Sequence, residues 1–161
     1  MRWDGFESAC PDIAGIARER FAKDELVLLG TTRRDGSPRI SPCEVDFAAG
    51  HLFLGMMWRS KKALDLQRDP RIAVHSVPSD RFNPGGDVKL SGRVIDVGDP
   101  DLRKAFREEI KRRIDWAPEE PEYHLFSFDV MHAAYISFGE DNERAMSWDP
   151  ERGLRQLRHP G

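Results

Sequence analysis

Cysteine is scarce: Cys10 and Cys43 are the only two in 161 residues, and no CxxC spacing links them. That argues against a disulfide framework and against zinc or dithiol redox chemistry, and both are read as free thiols in a reducing compartment. Long apolar runs are missing too. No window approaches the ~20 residues of a membrane span, and the opening MRWDGFESACPD has no apolar signal-peptide core, so a cytoplasmic protein away from membranes is expected. The five histidines, His51, His75, His124, His132 and His159, form no HxxxH or HxH pair, and no metal site is expected. GxGxxG, GxxxxGK[ST] and GxSxG are all absent, which removes the common nucleotide-loop and hydrolase signatures. Positive charge is not in excess either. Lys plus Arg number 25 against 28 Asp plus Glu, interspersed, for a formal charge of -3, so no nucleic-acid partner is expected.

The apolar residues, 39% of the chain, are grouped into short periodic runs that suit one domain over residues 1–161. Ile13, Ile16, Ala17 and Phe21 form one stripe in PDIAGIARERFAKDE and predict a helix over about 11–23. LVLLGTT, RISPCEVDF and HLFLGMM predict an antiparallel meander over Leu26–Thr32, Arg39–Phe47 and His51–Met57, with Asp35-Gly36 as its first turn. SKKALDLQRD then predicts a short helix with Ser60 as N-cap, stopped by Pro70, and RIAVHSV a strand. PSDRFNPGG is a loop by composition, and in the strand DVKLSGRVIDV Gly92 marks a bend or bulge. DPDLRKAFREEIKRRI is the clearest helix, capped by Asp99 or Asp101. Two further β runs, HLFSFDV and AAYISFG, precede a polar tail over 140–161 that includes AMSWDP.

Six or seven strands joined by short turns, with three helices outside them, predict a mainly β fold: a closed or partly closed antiparallel barrel over about 26–139. HLFLGMM is apolar on both faces, and a barrel strand needs only one apolar face. A second subunit covering the other face, hence a homodimer, is the expectation.

The chemistry-bearing stretch is MMWRSKKALDLQRDPRIAV. Two lysines at a helix start oppose the helix dipole, and Ser60, Lys61, Lys62 and free backbone N–H groups there suit a phosphate. A solvated basic turn explains the same residues, and spacing alone does not separate the two. In SPRISPCEVDF, Arg39, Ser41 and Cys43 share one face while Ile40, Pro42, Glu44 and Asp46 share the other. Arg39 is a candidate anion contact and Ser41 a candidate partner for a polar ring edge. Pro42 lacks a ladder donor, so this strand is expected at an edge or to be irregular there. Trp3, Trp58, Trp116 and Trp148 are candidates for covering a flat ligand, with Trp58 beside the lysines and Trp148 in a segment able to reach across a dimer, or else for packing within the protein.

In order and spacing, the meander, the basic helix start and the later DVKLSGRV resemble the FMN-binding split β-barrel family related to pyridoxamine 5'-phosphate oxidase. The resemblance implies a six- to seven-stranded split barrel and a homodimer with two cofactor sites at its interface. It implies that Lys61 and Lys62, with Ser60, hold the FMN phosphate, that the strand of Arg39, Ile40, Ser41, Pro42, Cys43 and Glu44 runs along the flavin, and that Gly55 and Met56 make further flavin contacts. Glu44 stands where the oxidase motif has a basic residue and Asp87 where it has Gln, and ERGLRQLRHPG does not reproduce the oxidase's C-terminal Arg and His substrate motif. The expectation is an FMN-dependent oxidoreductase acting on a small organic substrate other than pyridoxamine phosphate. An F420-dependent reductase, a non-enzymatic flavin or haem carrier or sensor, and a barrel without cofactor are the alternatives.

Overall fold

The hairpin turn at Asp35-Gly36 closes with Gly36 at φ 84°, where Asp35 Oδ1 accepts from the Ser37 N–H at 3.0 Å. It joins β1 (Leu26–Thr32) to β2 (Pro38–Glu44), paired in register from Leu26↔Glu44 to Thr32↔Pro38. A computed structural model describes residues 1–78, 85–137 and 144–157. Most of the PSDRFNPGG loop, the end of AAYISFG and His159 lie outside the described residues.

After β2 the chain does not continue as one strand to Phe47. Val45 breaks it, and β3 (Asp46–Ala48) turns to pair with β4 (His51–Met57). The other strands are β5 (Arg71–Ser76), β6 (Asp87–Asp96), β7 (Tyr123–Ser137), β8 (Arg144–Asp149) and β9 (Gly153–Leu157), and the pairing order is β2-β1-β5-β6-β7-β4-β3. The two end strands of this path are joined by the single residue Val45, so the sheet curls into an antiparallel barrel. No ladder joins β2 to β4 among the described residues, and the barrel is split there. As expected for a strand containing Pro42, β2 pairs with β1 alone among the described residues.

Three differences from the sequence reading have clear causes. HLFSFDV and AAYISFG form one strand, because the register shift opposite Ser91/Gly92 absorbs Met131 as a bulge. A Cβ on Gly92 would lie 1.9 Å from the Asp129 carbonyl oxygen, which is why glycine stands there. The expected polar tail contains β8 and β9, with Met146 and Trp148 buried at alternate positions. An additional helix, α1 (Trp3–Ala9), precedes α2 (Pro11–Asp24); Trp3, Phe6 and Cys10 keep helical spacing and all three are buried.

The barrel core is one cluster that includes Leu29, Leu52, Leu54, Phe126 and Phe128 and continues into Phe6 and Phe21 of α1 and α2. Trp148, expected near a ligand or partner, packs in this core against Phe6 at 4.9 Å between centroids, and Trp3 is also buried. A second cluster lies outside the barrel, where Phe106 and Ile110 of α4 (Pro100–Ile114) cover Phe53, Tyr123 and Leu125. α4 starts at Asp99, whose Oδ1 accepts from the N–H groups of Asp101 and Leu102 at 2.8 and 3.1 Å. Both apolar faces of β4 are therefore covered within the chain as far as Met56, while Met57 at its end is exposed. Leu52, Leu54 and Met56 face the barrel and Phe53 faces α4, so two-sided apolarity needs no second subunit to explain it.

Gly92→Ala should destabilise the protein by roughly 1–3 kcal/mol or more, the cost of forcing atoms into a filled site, read as a lower urea midpoint.

Candidate functional site

The turn from β4 into α3 (Lys61–Arg68) is built tightly. Arg59 adopts φ 57°, the Ser60 N–H donates to the Met57 carbonyl at 3.0 Å, and the Arg59 N–H donates to His124 Nε2 at 3.1 Å. His124 is buried at the start of β7 and stacks on Trp58 with centroids 4.7 Å apart, so the imidazole fixes both the turn and the indole plane. Ser60 occupies the N-cap position and its carbonyl accepts the Leu64 N–H at 3.0 Å, but its hydroxyl makes no capping bond. Ser60 Oγ is buried without a hydrogen-bond partner among the described residues, a state that costs roughly 1–3 kcal/mol unless a ligand supplies one. The first turn of α3 holds no acid, Lys61 is exposed, and Lys62 Nζ reaches back to the Pro42 carbonyl at 2.5 Å. Free helix N–H groups, an unpaired hydroxyl and two ammonium groups together suit an anion at this helix start.

Behind the turn, Asp65 of α3 is buried and accepts from Arg39 Nε at 2.6 Å, Thr31 Oγ1 at 3.1 Å and Arg68 at 3.2 Å. Burial opposes its ionisation, but the bonds from Arg39, Arg68 and Thr31 outweigh it and hold the carboxyl below its ordinary range. This cluster ties α3 to β1 and β2. Arg39 is thus positioned by an ion pair through its Nε, not a loose surface cation.

A cavity of about 900 Å³ opens along the split, between β2 and β4 on one side and α4 with the segment 115–123 on the other. Of the expected site residues, Pro42, Gly55, Met56, Trp58 and Lys62 line it. Ser60 and Lys61 stand at the helix start beside it, Arg39 lies at Asp65, Ser41 is half-buried on the Arg39 face, and Ile40 points outward, 76% exposed. Gly55 has a packing reason of its own, since a Cβ there would meet Phe106 Cζ at 2.6 Å. Cys43 also lines the cavity, and its Sγ donates to the Gly55 carbonyl at 3.4 Å across the split. Burial pushes this thiol up to about 11 although Lys62 pulls the other way, so it is not a thiolate nucleophile.

The sequence reading put Asp46 on one face with Ile40, Pro42 and Glu44. The break at Val45 separates them: Glu44 is exposed, whereas Asp46 is buried against Arg113 at 3.2 Å. His124, Asp46 and Trp116 were the site residues the sequence did not bring together. His124 lies 65 residues beyond Arg59, and no local spacing announces such a contact.

A split antiparallel barrel with an anion-receptive helix start beside the split defines the class. The family model described as pyridoxamine 5'-phosphate oxidase matches residues 15–137, and the chain belongs to that family. Among solved structures, a pyridoxamine 5'-phosphate oxidase-related, FMN-binding protein from Nostoc punctiforme is similar with a TM-score of 0.69 at 14% identity, covering 92% of this chain and 96% of that one. PhzG from Burkholderia lata, solved with tetrahydrophenazine-1-carboxylic acid, gives 0.65 at 12% identity, with coverage of 94% and 93%. A heme-binding protein from Mycobacterium smegmatis gives 0.67 at 19%, covering 88% of this chain, which spans 59% of that protein. No curated protein sequence matches the chain. No helix among the described residues is long and apolar enough to cross a membrane.

Asp65→Ala should cost roughly 3–5 kcal/mol of stability, because it leaves Arg39 without its buried partner. The wild-type contribution should be present above the unfolded carboxylate range and fade as pH falls through the depressed folded value, leaving the variant's deficit smallest in acid, as measured by urea unfolding across pH.

Proposed function

We propose that the protein is a cytoplasmic, homodimeric FMN-dependent oxidoreductase acting on a small organic substrate. The observation that carries this reading is the buried, partnerless Ser60 Oγ at the start of α3, beside Lys61 and Lys62 and next to the cavity along the split. A monoester phosphate would accept from that hydroxyl, from the lysines and from the first N–H groups of the helix. Family membership and the FMN-binding description of the Nostoc punctiforme protein support the same cofactor.

When bound, the flavin supplies the hydride or electron transfer, so no side-chain nucleophile is required. Ser60, Lys61 and Lys62 hold the phosphate. Arg39, kept in place by Asp65, orders the start of β2, and the strand of Ile40, Ser41 and Pro42 would supply backbone groups to hold the flavin. Gly55 and Met56 border the ring from β4, while Trp58, set by His124, limits water access. Among the described residues no histidine lines the cavity, which disfavours a histidine-ligated haem. The substrate differs from pyridoxamine phosphate, since an acid stands at Glu44 where the oxidase motif is basic.

Exposed apolar residues beside the cavity, Met57 at 78% and Trp58 at 54%, together with Ile40 on β2, support a dimer formed at this face. Sedimentation velocity should give a dimer for the wild type and a shift toward monomer for Ile40→Glu; a wild-type monomer at micromolar concentration rejects the assembly.

Purified protein should carry or take up FMN, with flavin absorbance and quenched fluorescence. Lys61→Ala with Lys62→Ala should lose roughly 1.5–3 kcal/mol of binding for each phosphate hydrogen bond removed. A folded double variant that binds FMN as tightly as wild type refutes the phosphate assignment, and a colourless wild type with no FMN affinity refutes the cofactor.

A further inference from the structure

The charge pattern of the cavity goes beyond what a phosphate anchor needs. Glu44 at the end of β2, Asp46 at the start of β3, and Asp115, Glu119 and Glu122 beyond α4 all line it. Against these five carboxylates stand two lysines, and both are engaged: Lys62 Nζ with the Pro42 carbonyl at 2.5 Å, and Lys111 Nζ with Asp115 at 2.8 Å. Helix α4 ends at Asp115, and its last carbonyls add the negative end of the helix dipole.

Asp46 turns this acidic lining into evidence of a ligand. It is 3% exposed; its Oδ1 meets Arg113 at 3.2 Å, and its Oδ2 has no hydrogen-bond partner among the described residues. Burying a carboxylate oxygen without a donor is costly, and a donor brought by a ligand removes that cost. Burial accordingly raises the Asp46 carboxyl above its ordinary range, although Arg113 pulls the other way. In the same cavity Trp116, 57% exposed, offers a ring face to a cation, and Phe106, Ile110 and Tyr123 offer apolar surface.

We propose that this cavity takes its substrate as an organic cation, a protonated amine on an apolar or aromatic body, with Asp46 Oδ2 accepting its N–H. Glu44, Glu119 and Glu122 supply the attracting field, and they repel carboxylate and phosphate substrates. The inference rests on the oxidoreductase reading for turnover, but not for binding.

Calorimetric titration of the full-length protein, with and without FMN, against benzylamine (protonated near neutral pH), benzyl alcohol and benzoate tests it. Benzylamine should bind at least about tenfold tighter than benzyl alcohol, and benzoate should bind weakest. Asp46→Asn, and separately the combined exposed changes Glu44→Gln, Glu119→Gln and Glu122→Gln, should each weaken benzylamine by about tenfold while FMN affinity stays within about twofold. Equal binding of the three probes, no benzylamine binding, or an unaffected triple variant overturns the proposal. Amine binding without any FMN affinity would sink the flavin reading and leave the amine site standing, whereas FMN binding without amine selectivity would sink the amine site alone.

Discussion

β2 and β3 are separated by Val45 alone, yet they stand at opposite ends of the strand order. That covalent constraint forces the sheet to curl until its two ends meet. Because Val45 turns the chain, β2 pairs with β1 and β3 with β4, and among the described residues the meeting line is a split instead of a ladder. Everything of functional interest collects along that line. Pro42, Cys43 and Glu44 border it from β2, Gly55 to Trp58 border it from β4, and the cavity lies over both.

Two charge clusters of opposite character flank the split. On the α3 side, Asp65 gathers Arg39 and Arg68 and leaves the helix start, with Lys61 and Lys62, unopposed by acid. On the α4 side, carboxylates outnumber lysines and a helix C-terminus adds to them. One wall of the molecule thus favours an anion and the other a cation. An 18.4 kDa chain with a formal charge of -3 carries this division only because folding sorts its interspersed charges to different sides of one opening.

Much of the fold was legible in local pattern. The β1–β2 hairpin follows from Asp35-Gly36, the α4 cap from Asp99, and the irregularity of β6 from Gly92. Where the reading failed, a polar interruption was taken for an end. Met131-His132 parted two β runs that are in fact one bulged strand, and the polar residues of AMSWDP around Met146 and Trp148 hid a buried alternation. The helix α1 was missed for its brevity, although Trp3, Phe6 and Cys10 mark its inner stripe.

By itself the sequence determined the mainly β class, the turn positions, and the basic helix start at Ser60–Lys62, because periodicity, turn chemistry and capping act over a few residues. Only the tertiary structure decided that Asp65 neutralises Arg39, that His124 sets Trp58, that α4 covers Phe53 on the outer face of β4, and that Asp46 is buried with one oxygen unpaired among the described residues. Those contacts join residues far apart in the chain, and whether a polar group is paired or orphaned depends on every element that packs around it.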